Sequence, residues 1–120
     1  MKKALTLALA LTLSFALALA RPGRLAADET PRSIDIKAQR FEFTPATITL
    51  KKGETVRLRV TSDDVTHGLF LRALKIDMDI VPGEVREVTV TPETLGTFTA
   101  ICHHFCGAGH GGMKLTVVVE

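Results

Sequence analysis

The sequence predicts an all-β fold of the sandwich type. Apolar and polar residues alternate with a period of two in short runs such as Val56 to Thr61, as in strands with one buried face. Turn-forming residues separate the runs, at Lys51 to Glu54 and at Pro82-Gly83. After residue 20, no window carries the apolar stripe with capping residues that predicts a helix. We therefore expect an antiparallel sandwich or barrel in which Lys51 to Glu54 closes a hairpin.

The other predicted strands follow the same pattern along the chain. They are centred on Ile34 to Lys37, Arg40 to Phe43, Ile48 to Leu50, Gly68 to Leu71, Ile76 to Ile80, Val85 to Val90, Phe98 to Ile101 and Leu115 to Val119. The glycine-rich stretch Gly107 to Gly112 predicts a tight loop between the last two strands.

The first 20 residues differ from the rest. Lys2 and Lys3 precede an uncharged apolar run that ends in Ala18-Leu19-Ala20, which is the pattern of a secretory signal. The run is also near the lower length limit of a membrane anchor. We expect residues 1–20 to be a signal peptide or N-terminal anchor, residues 21–32 a polar linker and residues 33–120 one domain in the periplasm or on the extracytoplasmic face of the membrane. Any membrane contact is expected through that anchor only.

The charge balance argues against nucleic-acid binding. The chain carries 15 basic and 13 acidic residues, and four of the basic residues but none of the acidic ones precede Asp28. The remaining part is close to neutral, and the chain has no Trp and no Tyr. A nucleic-acid-binding protein needs a basic surface and commonly uses stacking aromatic residues, so we predict no nucleic-acid partner.

A cluster of metal-binding residue types lies in the predicted C-terminal loop. Cys102 is followed by Cys106, His110 and Met113 in the spacing Cys-x3-Cys-x3-His-x2-Met. Thiolate and thioether sulfurs are soft ligands that favour copper. The two cysteines close too small a loop for a disulfide between them to add much stability, so we interpret them as metal ligands.

His67 is the candidate ligand outside the loop. It is the one histidine of the chain that does not lie between residues 102 and 113, and it stands at the start of a predicted strand. A site built on one loop alone would be poorly fixed, and a ligand from a second strand would make it rigid. We therefore predict that His67 lies within bonding distance of the two cysteine sulfurs.

Three segments together resemble a known copper domain. They are Thr61 to Leu71, Val81 to Glu84 and Cys102 to Met113, and the likeness extends over about residues 40–120. They are similar to the CuA domain of cytochrome c oxidase subunit II, which also occurs in nitrous oxide reductase. The resemblance implies a cupredoxin fold, a Greek-key β-sandwich, for residues 33–120.

The resemblance also implies the ligand set of a centre with two copper ions. Cys102 and Cys106 would bridge the ions, and His67 and His110 would each bind one of them. Met113 would be a weak ligand of one ion, and the main-chain carbonyl of residue 104 would bind the other. The family usually has glutamate at this position, where this chain has His104.

The expected activity is electron transfer, with a redox partner such as a cytochrome c or an oxidase catalytic subunit. The chain shows no nucleophile paired with a base, and we predict no catalysis by this domain alone. Subunit II normally carries membrane helices before the domain and aromatic Trp or Tyr residues near the site, and this chain departs from both patterns. We expect Phe70, Phe98 and Phe105 to contribute to an apolar shell, and His103 and His104 to be exposed.

Other functions remain compatible with the residues alone. His67, Cys106, His110 and Met113 suffice for a mononuclear type 1 copper centre, in which Cys102 is not needed. The histidine-rich loop also suits a periplasmic copper carrier for oxidase assembly. Two cysteines and two histidines would satisfy tetrahedral zinc, and oxidation of the metal-free protein would allow a disulfide.

Overall fold

A computed structural model describes residues 30–120. The strands in this part of the chain are β1 (Arg32–Gln39), β2 (Glu42–Thr44), β3 (Thr47–Leu50), β4 (Val56–Ser62), β5 (His67–Leu71), β6 (Ile76–Ile80), β7 (Arg86–Val90), β8 (Gly96–Ile101) and β9 (Lys114–Val119). Two short 3-10 turns, Arg72–Leu74 and His110–Gly112, are the helical elements of the described part. The predicted signal or anchor at 1–20 and most of the predicted linker at 21–32 lie outside it.

The strands form two sheets, as expected for a sandwich. One sheet has the order β2-β1-β4-β7, and the other has the order β3-β9-β8-β5-β6. Both sheets are mixed, because β1 pairs parallel with β4 and β3 pairs parallel with β9. The all-β prediction is confirmed, whereas the expectation of purely antiparallel sheets is wrong.

The turn at Lys51 to Glu54 explains the difference. The Glu54 N–H donates to the Lys51 carbonyl at 3.1 Å, and Gly53 has a φ of +82° that favours glycine. A turn therefore forms where the sequence predicts one, but it carries the chain from β3 in one sheet to β4 in the other. The predicted hairpin is wrong, because a turn sequence does not determine which sheet the next strand joins.

Alternate residues of the strands fill the space between the sheets. In β4 every second residue is buried, and β6 and β9 repeat this pattern from the other sheet. Fully or almost fully buried side chains include Leu58, Val60, Ile80, Leu115 and Val117. No helix among residues 30–120 is long and apolar enough to span a bilayer.

Truncation of a central core side chain tests this packing. Leu58 lies in β4 with none of its surface exposed, so Leu58→Ala removes buried apolar area and leaves a cavity. We expect a loss of about 2–5 kcal/mol in the free energy of unfolding, measured by denaturant titration. The exposed Thr89→Ala in β7 is the matched control, with an expected change within about 0.5 kcal/mol. Equal effects in the two variants would contradict the assigned core.

Candidate metal centre

The register of three strands brings distant parts of the chain to one end of the five-stranded sheet. In the pair β8–β9, Ile101 lies opposite Lys114, so residues 102–113 form the loop that joins these strands. The Cys102 N–H donates to the Met113 carbonyl at 3.1 Å and closes the base of this loop. On the other side of β8, Ile101 lies opposite Phe70 of β5. Continuation of this antiparallel register places the beginning of β5, at His67, beside the start of the loop.

Two free thiols lie at the centre of the cluster. The Sγ atoms of Cys102 and Cys106 are 3.8 Å apart, and both side chains are buried. The donor atoms of His67, Cys102 and Cys106 all lie within 4.8 Å of one another. The structure therefore places the imidazole of β5 next to both sulfurs.

Each thiol has its own set of further donors. The Cys102 Sγ lies 3.9 Å from His67 Nδ1 and 3.3 Å from the His104 carbonyl oxygen. The Cys106 Sγ lies 3.8 Å from His110 Nδ1 and 3.9 Å from the Met113 Sδ. All six positions predicted from the sequence thus meet in one cluster, in two halves that share the pair of sulfurs.

Asp64 orients the buried imidazole of this cluster. His67 is fully buried, and its Nε2–H donates to the Asp64 Oδ1 at 2.7 Å. In the neutral ring this leaves the Nδ1 lone pair facing Cys102, as a metal ligand requires. Burial alone would raise the pKa of Asp64, but hydrogen bonds from the Arg40 N–H and from His67 outweigh it and hold the pKa at about 2. The carboxylate is therefore ionised and remains an acceptor at neutral pH.

The Cys106 thiol is protonated in the metal-free protein. Its burial, followed by the hydrogen bond and the charge of Cys102, raises the pKa of Cys106 to about 11. The neighbouring Arg40 acts in the opposite direction. Because a metal binds the thiolate, coordination at this sulfur must displace a proton.

Phe41 supports the glycine-rich part of the loop. A Cβ atom added at Gly109 would lie 2.4 Å from the Phe41 ring, and one added at Gly107 would lie 2.9 Å from it. Gly107 also has a φ of +138°, which other residues rarely adopt. The Phe41 ring can therefore pack this closely against the loop only because residues 107 and 109 have no side chain.

This contact yields a prediction for the loop. We expect Gly109→Ala to displace the Phe41 ring and to lower the free energy of unfolding by about 1–3 kcal/mol, measured by thermal or denaturant unfolding. Gly112→Ala is the matched control, because a Cβ at Gly112 would meet no atom of residues 30–120 within 4 Å. Combination of Gly109→Ala with Phe41→Ala should remove most of the clash, so the double variant should lose less stability than the sum of the two single variants. Strictly additive changes in the free energy of unfolding would contradict this packing.

The structure corrects one detail of the expected shell and adds residues that the sequence did not reveal. Phe105 is 73% exposed and so does not belong to a dry shell. His103 and His104 are exposed, as predicted. Arg40, Phe41 and Asp64 were not predicted as part of the site. The position of Asp64, three residues before His67, was a usable signal, whereas nothing in the local pattern marks the other two.

The donors of the cluster fit copper well. Two thiols, a thioether and two imidazoles form a predominantly soft ligand set, which favours copper over magnesium, calcium or manganese. The thioether of Met113 is only 1% exposed and lies against a thiol. Tetrahedral zinc would use four ligands and leave this sulfur without a role.

Comparison with known proteins agrees with this geometry. The profile of the cupredoxin-like domain family matches residues 5–117. The chain belongs to this family. The cupredoxin fold expected from the resemblance is therefore confirmed, and membership implies copper as the cofactor.

Two relatives show which cupredoxin domains this chain is similar to in sequence. Cytochrome c oxidase subunit 2 of Thermus thermophilus is 33% identical over 88 residues, which cover 73% of this chain and 65% of that protein. Nitrous-oxide reductase of Cupriavidus necator is 30% identical over 112 residues, or 88% of this chain and 17% of that enzyme. The resemblance to these two proteins is thus confirmed, although the chain spans less than two thirds of the length of either.

A solved structure shows the same fold. The periplasmic domain of subunit II of the cytochrome oxidase of Bradyrhizobium japonicum superposes with a TM-score of 0.70, over 77% of this chain and 86% of that domain. The sequence identity of 19% supports the fold alone. The cupredoxin domain of this chain is therefore related in sequence and in architecture to oxidase subunit II.

Proposed function

We propose that this cupredoxin domain is an electron carrier with a binuclear, CuA-like copper centre. The ligands in this proposal are the side chains of His67, Cys102, Cys106, His110 and Met113 and the main-chain carbonyl of His104. When bound, two copper ions that share both thiolates would spread the charge of one electron over both ions and so reduce ligand movement during electron transfer.

The division of the donors between the two thiols carries the proposal. Cys102 has His67 and a carbonyl oxygen as neighbours, whereas Cys106 has His110 and a thioether. A type 1 centre needs both histidines on the copper of one thiolate. Here the His67 Nδ1 contacts the Cys102 sulfur and the His110 Nδ1 contacts the Cys106 sulfur, which favours two ions over one.

The surroundings suit electron transfer. His67 is held by a strand and by Asp64, and Cys102, Cys106 and Met113 are at most 4% exposed. A rigid, dry ligand shell limits the rearrangement that accompanies a change of oxidation state. The ring of the exposed Phe105 has its centroid 5.7 Å from that of His110. An apolar side chain thus lies on the protein surface next to one of the proposed ligands.

A metal titration tests the proposal. Reduced, metal-free protein is titrated with copper under anaerobic conditions, and the bound metal is counted after desalting. We expect two copper ions per chain, and zinc in equal concentration should not displace them. Saturation at one copper ion would support the mononuclear centre, and tighter binding of zinc would support a structural zinc site.

The proposal extends to location and partners. We infer that residues 1–20 are the signal peptide or anchor that delivers the domain at 33–120 to the extracytoplasmic side, with residues 21–32 as linker. The related solved domain is described as periplasmic. The electron partner would be a cytochrome c or an oxidase catalytic subunit. If fractionation of the native cells recovered the mature pool of the protein in the cytoplasm, with residues 1–20 still attached, this location would be contradicted.

A further inference from the structure

One residue contacts both halves of the centre. Arg40 lies in the bend between β1 and β2, and its main-chain N–H donates to the Asp64 Oδ2 at 2.7 Å. The other oxygen of the same carboxylate holds His67. The Arg40 side chain runs toward the loop, where its Nε donates to the Cys106 carbonyl at 2.8 Å.

The hydrogen bond from Arg40 to the Cys106 carbonyl fixes a part of the loop that has little other main-chain support. The loop from 102 to 113 is tied at its base, where the Cys102 N–H bonds to the Met113 carbonyl, but no strand of the described part of the chain pairs with it at Cys106. Immediately after Cys106, Gly107 turns the chain, and the Gly107 carbonyl accepts the His110 N–H at 3.1 Å. A guanidinium that holds the Cys106 carbonyl therefore fixes the start of the turn that delivers His110.

The charge of Arg40 acts on the same atoms. A guanidinium is positive at every physiological pH, and here it lies beside the segment of a buried thiol. A positive charge stabilises the less positive form of a nearby centre. The reduced form of a copper centre carries one positive charge less than the oxidised form, so Arg40 favours reduction.

We propose that Arg40 is a positioning residue of the metal centre, which joins the His67 half to the Cys106 half and favours the reduced state. The proposal rests on the copper function proposed above. The main-chain hydrogen bond from Arg40 to Asp64 does not depend on the side chain of residue 40. Substitution of Arg40 therefore isolates the contribution of the guanidinium to the Cys106 half.

The experiment compares Arg40→Ala and Arg40→Lys with a matched arginine variant. Arg59→Ala removes an arginine of β4 that pairs with Glu87 and Asp35. Within residues 30–120, no hydrogen bond or ion pair joins its side chain to the loop 102–113. Amide hydrogen exchange of His110 is measured in the reduced, metal-free proteins. The rate of copper transfer to a chelator and the reduction potential are measured in the loaded proteins.

We expect faster exchange at His110 in Arg40→Ala and copper transfer accelerated roughly 10- to 100-fold, the usual cost of removing a residue that orients metal ligands. The reduction potential should fall in Arg40→Ala and stay near that of the wild type in Arg40→Lys, which keeps the charge but lacks the planar fork. Arg59→Ala should resemble the wild type in all three measurements.

Two results would overturn the proposal. Unchanged His110 exchange in Arg40→Ala would show that the guanidinium does not position the loop, and an unchanged potential would refute the charge effect. Failure of the wild type to bind copper would instead refute the proposed function. The exchange measurement still decides the positioning role in that case, because it needs no metal.

Discussion

Cys102→Ser is expected to convert the centre from two copper ions to one and to abolish its shared-electron spectrum. The Cys102 Sγ lies 3.8 Å from the Cys106 Sγ and 3.9 Å from His67 Nδ1, so its loss removes one of the two bridging thiolates and the sulfur that His67 contacts. A serine hydroxyl is a poor replacement for a soft thiolate. The copper count and the electron paramagnetic resonance spectrum of the loaded variant check this expectation.

Cys106→Ser is the matched control for this prediction. In a centre with two bridging thiolates, both serine variants lose the shared-electron spectrum to a similar degree. In a type 1 centre built on Cys106, the loss of Cys102 leaves the colour and the spectrum intact. An unchanged spectrum in Cys102→Ser would therefore contradict the binuclear centre, provided that thermal unfolding shows the metal-free variant to be folded.

Gly68→Ala is expected to have the second large effect, because β5 and the metal loop are in close contact at this residue. An added Cβ would lie 2.2 Å from His103 Nδ1 and 2.8 Å from the main-chain nitrogen of His104. The side chain can rotate away, but the main chain cannot move without displacing the loop. We expect a loss of about 1–3 kcal/mol in the free energy of unfolding and weaker copper retention.

Gly111→Ala separates this clash from a general effect of alanine in the region. A Cβ at Gly111 would have no neighbour within 4 Å in the part of the chain that the structure describes. Addition of His103→Ala to Gly68→Ala should restore only part of the stability, because the contact with the His104 main chain remains. Equal unfolding temperatures for Gly68→Ala and Gly111→Ala would contradict the close approach of strand and loop.

The strand positions could be predicted because alternation is a local property. Val56, Leu58 and Val60 are buried in β4 at the spacing of two that the sequence shows. The pairing of strands is not local. The period of two is satisfied equally well in either sheet, so nothing in Lys51 to Glu54 indicated that the chain crosses between sheets there or that β1 and β4 run parallel.

The candidate ligands could be predicted because their residue types and spacing are unusual. Cys102, Cys106, His110 and Met113 are close in sequence, and His67 is the one histidine outside this loop. The residues that hold them have no such signal. Arg40 is separated from Cys106 by 66 positions, and an arginine at a strand end is ordinary on any protein surface. Its contact with the loop depends on the packing of the bend between β1 and β2 against the site.

The hyperfine pattern of the fully loaded wild-type protein tests the central claim most directly. Two equivalent copper nuclei that share one unpaired electron should split its electron paramagnetic resonance signal into seven lines. The division of the donors between Cys102 and Cys106 predicts this pattern. A four-line signal from one copper ion would contradict the account.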